Sequence, residues 1–160
     1  MLENSGVPSR EQINAILPDE KRRSKGPVVI VECFQKIPCD PCHTACKRGA
    51  FLPFADINDL PQLDFEKCNG CGICIGFCPG LAIFVVDESY SDEEALLKMP
   101  WEFLPQPKVG DIVQGVNRQG DLIIPVKVKK VSSSAKKNGA HVLTLIVPKI
   151  LAHEIRAIKI

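Results

Sequence analysis

The chain has 160 residues, 45% of them hydrophobic, which is enough for one ordinary domain or two small ones. Its formal net charge is only +1, yet ten Lys and Arg stand against sixteen Asp and Glu over residues 1–104, and ten against three over residues 105–160, which predicts two units with different surfaces. No segment nears the roughly 20 apolar residues that span a bilayer, and the first residues, MLENSGVPSREQ, lack the basic start and apolar stretch of a secretory signal. The expectation is a cytoplasmic protein whose eight cysteines serve a metal rather than disulfides.

In chain order, Ser9 followed by Gln12 is a capping box, opening a helix over SREQINAIL with Ile13, Ile16 and Leu17 on one face and Pro18 ending it. The charged stretch DEKRRSKGP reads as a flexible linker. Residues 1–27 thus form a helical arm, too short to hold its shape without packing on its own domain or on a partner. Residues 28–32, VVIVE, have the length and composition of a strand. The first cysteine group follows in CFQKIPCDPCHTAC: Cys33, Cys39, Cys42 and Cys46. A short helix is expected near 44–47, then strands at GAFLPF and, over residues 62–66, QLDFE.

The second group lies in CNGCGICIGFCP, where Cys68, Cys71, Cys74 and Cys78 are separated by two, two and three residues, and Pro79 follows. This is the bacterial-type spacing for iron–sulfur ligation. Three thiolates at intervals of three wrap a tight loop around one face of a cubane, and the fourth points away at the start of the next element. Gly70, Gly72 and Gly76 let the loop adopt open backbone angles and bring amide N–H groups to the sulfurs. Zinc is the alternative, but it normally pairs two close cysteines with two distant ligands, a pattern that these eleven residues fit poorly.

Aligned on their last cysteines, the two groups match Cys46 with Cys78, Cys42 with Cys74 and Cys39 with Cys71, and Lys36 falls opposite Cys68. Cys33 lies three residues earlier, so FQKIP is an expansion of the loop, stiffened by Pro38 and Pro41. Lys47 and Arg48 follow Cys46 where a proline follows Cys78; positive charge there raises the potential of a neighbouring redox centre, or they are simply a solvated helix end. With four cysteines present, His43 reads as lying beside the ligands rather than among them.

Residues 81–87, LAIFVVD, form another strand, and residues 89–107 a connection: a short helix in SDEEALLKMP capped by Ser91 and Glu94, then a Pro-rich linker with Trp101 and Phe103 as an interdomain staple or, failing that, an interface anchor. Residues 108–160 read as all-β, with Gly110 and Gly115 as bends or bulges, NRQGD as a hairpin turn, SSSAKKNG as a mobile loop, and AHVLTLIV and HEIRAIKI as later strands. His141 and His153 have no partner ligands in the pattern. This basic unit contains no Phe, Tyr or Trp, which removes the stacking platform that single-stranded nucleic acid needs and leaves a docking surface for an acidic partner.

The CNGCGICIGFCP run, the second cysteine group upstream and the repeated strand–loop–helix–strand pattern resemble the two-cluster bacterial ferredoxin domain. The resemblance implies an α+β fold: a ferredoxin-like domain with a pseudo-twofold repeat over residues 28–88, followed by a small, barrel-like all-β domain over residues 108–160. It also implies two 4Fe–4S clusters with crossed ligands. Cluster I takes Cys33, Cys39, Cys42 and Cys78; cluster II takes Cys68, Cys71, Cys74 and Cys46. Should Cys33 not bind, a 4Fe–4S and a 3Fe–4S centre result. DEKRRSKGP, ECFQKIPCDPC and VGDIVQGVNRQG together resemble the iron–sulfur subunits of multisubunit flavin-dependent amino-acid dehydrogenases of the proline-, hydroxyproline- and sarcosine-oxidase type. That implies a non-catalytic electron-carrying subunit in a hetero-oligomer, with catalysis in FAD-containing dehydrogenase subunits. No nucleotide-binding or hydrolase motif contradicts this. The rivals are a free-standing ferredoxin and a subunit of an unrelated reductase.

Overall fold

The computed structural model describes residues 2–133 and 140–160; the larger part of the loop expected at SSSAKKNG lies outside them. Three short helices lead the chain: α1 (Leu2–Ser5), α2 (Arg10–Ile16) and α3 (Glu20–Ser24). Strand β1 (Val28–Val31), helix α4 (Pro41–Ala45), a 3-10 turn (Ile73–Phe77) and strand β2 (Ile83–Asp87) carry the two cysteine groups. Five further strands follow: β3 (Glu94–Trp101), β4 (Ile112–Val116), β5 (Leu122–Ser133), β6 (His141–Pro148) and β7 (Ala157–Lys159). Among the described residues, all seven strands form one sheet in the order β1-β2-β3-β6-β5-β4-β7, with every pairing antiparallel.

The capping box forms as its residues dictate: Gln12 N donates to Ser9 Oγ at 3.2 Å and Ser9 N to Gln12 Oε1 at 2.9 Å. Ile13 is buried, and Ile16 and Leu17 pack against the main core, so the arm lies on its own chain. The stretch expected to be a flexible linker is instead ordered. Asp19 Oδ1 accepts from Arg22 N at 2.7 Å and caps α3, and Arg22 is itself buried.

Continuous apolar runs in β1 and β2 have a structural reason. Val28, Ile30, Phe84 and Val86 face the core under the rest of the sheet, while Val29, Val31, Ile83 and Val85 face Phe51, Ile75 and the cysteine loops. Both faces are covered, so alternation is absent. The inner two strands expected for the pseudo-twofold repeat shrink to one bridge, Phe51 with Leu63.

The helix expected in SDEEALLKMP is a strand. Ser91 Oγ does accept from Glu94 N at 2.9 Å, but Ser91 N also donates to Glu94 O, and the result is a turn into β3. β3 pairs with β2 on one side and with β6 along its whole length on the other, from Glu94 opposite Pro148 to Trp101 opposite His141. Ala95, Leu97, Met99 and Trp101 alternate into the core. Tertiary pairing overrides the helix propensity of Glu, Ala, Leu, Lys and Met. The same pairing makes the C-terminal strands a continuation of the sheet, where a separate small barrel was expected. Gly115 sits at a register shift in β4, and Asn117 N donates to Asp121 O across the hairpin turn, as read from the sequence. Trp101 is buried and meets the exposed Phe103 edge to face at 5.3 Å.

The sheet curls far enough for side chains from its two ends to meet. Glu32, just after β1, receives Arg118 Nη2 from the β4–β5 hairpin and Arg156 Nε from just before β7, each at 2.6 Å. Arg156 also stacks on Phe84, 4.8 Å from the ring centre. Burial alone would push the Glu32 carboxyl up, but the two guanidinium groups hold it below the usual range. Glu32→Gln keeps the shape and strands two cations, so it is expected to lower unfolding stability by about 3 kcal/mol or more. Anaerobic denaturant titration, with an unchanged m-value, is the check; an unmoved midpoint would show that this pair does not hold the sheet closed.

Candidate metal centre

Both cysteine groups hang from one end of the β1–β2 pair. Pairing continues one residue past β1, where Glu32 N donates to Ala82 O at 2.8 Å, so Cys33 leaves the sheet beside the segment that enters from Cys78. Cys42 lies in α4 and Cys46 caps its end; Cys74 lies in the 3-10 turn and Cys78 caps it. All eight cysteines are free thiols.

Thiols of one loop act on thiols of the other. Burial pushes the Cys33 thiol up, and Cys78 and Cys39 push it the same way. Cys39 is raised by burial and then by Cys78 and Asp40. Cys42 is pushed up to about 11, first by burial, with Cys78 and Cys39 adding to it against its local N–H groups. In the other set, burial pushes Cys74 up to about 12, reinforced by Cys68, Cys71 and Cys46. One set is therefore Cys33, Cys39, Cys42 and Cys78, and the other Cys46, Cys68, Cys71 and Cys74. Thiols that raise one another in this way favour a cation that lets them ionise together.

The second set opens into a cavity of about 440 Å³, solvent mouth included, which all four of its cysteines line together with Gly70, Gly72, Lys47 and Arg48. Main-chain donors point at sulfur in both sets: Gly70 N to Cys68 Sγ, Ala50 N to Cys46 Sγ and Ala82 N to Cys78 Sγ, each at 3.4 Å. Burial raises the Cys46 thiol, but the N–H groups of Ala50, Arg48, Phe51 and Gly49 prevail and hold it below its ordinary value. Such donors stabilise thiolates and cluster sulfur. Among the described residues, no three His, Cys, Asp or Glu side chains close around a single metal ion. A four-iron cube asks for a different arrangement, one thiolate at each corner, and the cavity with its soft donors and amides fits such a group.

Two side chains that motif reading misses reach the second cysteine loop. Arg22 Nη2 donates to the Cys68 carbonyl at 2.6 Å, and Lys98 Nζ donates to the Gly70 carbonyl at 2.7 Å. Lys98 becomes legible only once its segment is read as a strand, where its position opposite Val85 puts it on the loop-covered face. The histidine rings have other partners: His43 Nδ1 contacts Phe51 O at 3.1 Å, His153 Nε2 meets Glu88 at 2.6 Å, and His141 lies 3.3 Å from Gln106.

Comparison with known proteins agrees with this chemistry over part of the chain. Residues 61–84 match the family described as a 4Fe-4S binding domain. Ferredoxin-type protein NapF of Escherichia coli (strain K12) is 35% identical over 52 residues, covering 31% of this chain and 32% of that protein. Pyruvate synthase subunit PorD of Methanocaldococcus jannaschii is 36% identical over 52 residues, or 32% of this chain and 58% of PorD. The PorD of Methanothermobacter marburgensis is 38% identical over 47 residues, 29% of this chain and 51% of that one. The chain spans about a third of the length of the first curated relatives it matches. No solved structure matches. Residues 61–84 thus have both the cysteine spacing and the family likeness of a 4Fe–4S binding segment. Among the described residues, no helix is long and apolar enough to cross a membrane.

Gly70 has φ +64°, and a Cβ there would stand 2.4 Å from Pro27 Cβ and 2.7 Å from its carbonyl carbon. Gly70→Ala is expected to distort the second loop and lower the iron bound per chain by about four. Iron and sulfide analysis after anaerobic reconstitution reads this directly; full iron in the variant would contradict the tight approach.

Proposed function

We propose that the chain relays single electrons through two 4Fe–4S clusters as a non-catalytic subunit of a larger oxidoreductase. Cys33, Cys39, Cys42 and Cys78 hold one cluster, and Cys46, Cys68, Cys71 and Cys74 the other. The observation that carries this reading is the cavity that Cys46 of the first run lines together with Cys68, Cys71 and Cys74 of the second. When bound, each cluster supplies one reversible one-electron site. The chain's own part is to hold the sulfurs, point main-chain amides at them and keep one edge of each site near the surface. Cys71 is exposed, whereas Cys74 is buried, so the second site has a solvent-facing rim and a dry interior.

The partner in this reading is an FAD-containing dehydrogenase subunit of the amino-acid dehydrogenase type, in a cytoplasmic hetero-oligomer. Residues 28–88 serve as the cluster-bearing unit and residues 108–160 as the docking unit. Its support is the likeness of the arm, the expanded loop and the VGDIVQGVNRQG segment to such subunits, together with a relative, PorD, whose name makes it a subunit of another enzyme. A bulge between Val128 and Lys130 helps expose Lys127, Lys129 and Lys130 on β5, which suits an acidic partner surface. The second reading is a free-standing carrier, since the name of the NapF relative, a ferredoxin-type protein, specifies no enzyme to which it belongs.

Anaerobic, untagged co-purification with iron, sulfide and flavin analysis separates the two. A complex containing flavin is expected, and an iron-loaded chain that sizes as a monomer would remove the subunit reading. Cys78→Ser tests the exchange: it is expected to alter the EPR component of the Cys33 set and leave the other component in place. The reverse pattern would show that each run serves its own cluster.

A further inference from the structure

Two cations press on the loop between Cys68 and Cys71 without a counter-anion. Arg22 is buried, and its guanidinium donates to the carbonyls of Phe65 at 2.8 Å, Gly26 at 3.2 Å, Pro27 at 3.2 Å and Cys68 at 2.6 Å. Lys98 is half-buried, and its ammonium donates to the Gly70 carbonyl at 2.7 Å. Among the described residues, neither cation has a carboxylate within ion-pair distance. Carbonyl dipoles solvate a cation but do not neutralise it, so a nearby anion is needed to offset the cost of its burial. The other thiol set differs. Of its neighbouring carboxylates, Glu32 is already matched by Arg118 and Arg156, and Asp40 adds negative charge beside Cys39.

The anion that Arg22 and Lys98 lack would be supplied by a thiolate-ligated group held between Cys46, Cys68, Cys71 and Cys74. We infer that Lys98 and Arg22 are positioning residues that pin this loop and raise the reduction potential of the group it holds, making it the first of the two to take an electron. The inference rests on the proposed cluster reading. Reduction adds one electron and one negative charge, and no bond need form or break. A fixed cation stabilises that added charge, and stabilises it most where water is excluded. Lys47 and Arg48 line the same cavity but are exposed, so solvent and salt screen them. Lys98 is anchored by its hydrogen bond and its stem, whose Cδ lies 3.5 Å from where a Gly72 Cβ would be.

An EPR-monitored redox titration of the anaerobically reconstituted full chain tests this, with iron and sulfide counted on every sample. Cys71→Ser assigns the component that belongs to this site. Lys98→Met keeps the stem and removes the charge. The reduced-to-oxidised ratio of that component at the wild-type midpoint should fall about tenfold, a shift of about 59 mV for a one-electron couple. The other component should move far less. Lys98→Gln, which keeps a donor for Gly70, should shift the same way, and Lys98→Arg should restore the wild-type midpoint. Full iron with unchanged midpoints in Lys98→Met or Lys98→Gln overturns the inference. Loss of the cluster in both, with Lys98→Arg loading normally, makes Lys98 a structural pin and overturns its electronic role. A wild-type chain that takes up no iron or sulfide overturns the cluster reading itself, and this inference with it.

Discussion

The antiparallel pairing of β1 with β2 is the constraint on which the rest depends. It sets Val28 opposite Val86 and Val31 opposite Ile83, and Glu32 N extends it to Ala82 O. Cys33 therefore leaves the sheet next to the segment whose Ala82 N donates to Cys78 Sγ. Cysteines 45 positions apart in the chain become neighbours because two strands pair in one register. A slip of one residue would turn every side chain to the other face. Val29, Val31, Ile83 and Val85 would then lose their packing under the loops, at about 1.5–3 kcal/mol for each buried side chain.

From that pair the molecule extends in two directions. On one face lie the cysteine loops, seated on Phe51 and Ile75 and held by Arg22 and Lys98. On the other, β3 carries the sheet onward until it curls back and Glu32 meets Arg118 and Arg156. The arm belongs to the same structure, since Arg10 pairs with Glu154 and α3 delivers Arg22 to the second loop. The charge asymmetry of the sequence thus reflects position along one sheet: acidic residues predominate around the loops and connections, and lysines on the exposed side of β5.

What was legible in the sequence was local chemistry. Ligand spacing, the Ser9–Gln12 capping box, the short runs of β1 and β2, and the NRQGD turn each depend on residues a few positions apart. What was not legible depends on distant partners. EALLKMPW has helix-forming composition and a genuine Ser91 turn, and it becomes a strand because β2 and β6 flank it. That one difference hid Lys98, which in a helix has no relation to Gly70. Arg22 was hidden for a similar reason, because a run of charged residues reads as solvated unless carbonyl groups from far along the chain gather around it. The expanded FQKIP loop remains compatible with the second cysteine run, because the matching of Cys39, Cys42 and Cys46 to Cys71, Cys74 and Cys78 does not require Cys33 to keep its place.

The central claim is that one short strand pair organises eight cysteines into two cluster sites with exchanged ligands. Native mass spectrometry of the anaerobically isolated chain tests it most directly. The account predicts a dominant species heavier than the polypeptide by two 4Fe–4S units. A chain carrying a single 4Fe–4S unit, or zinc in its place, would contradict it.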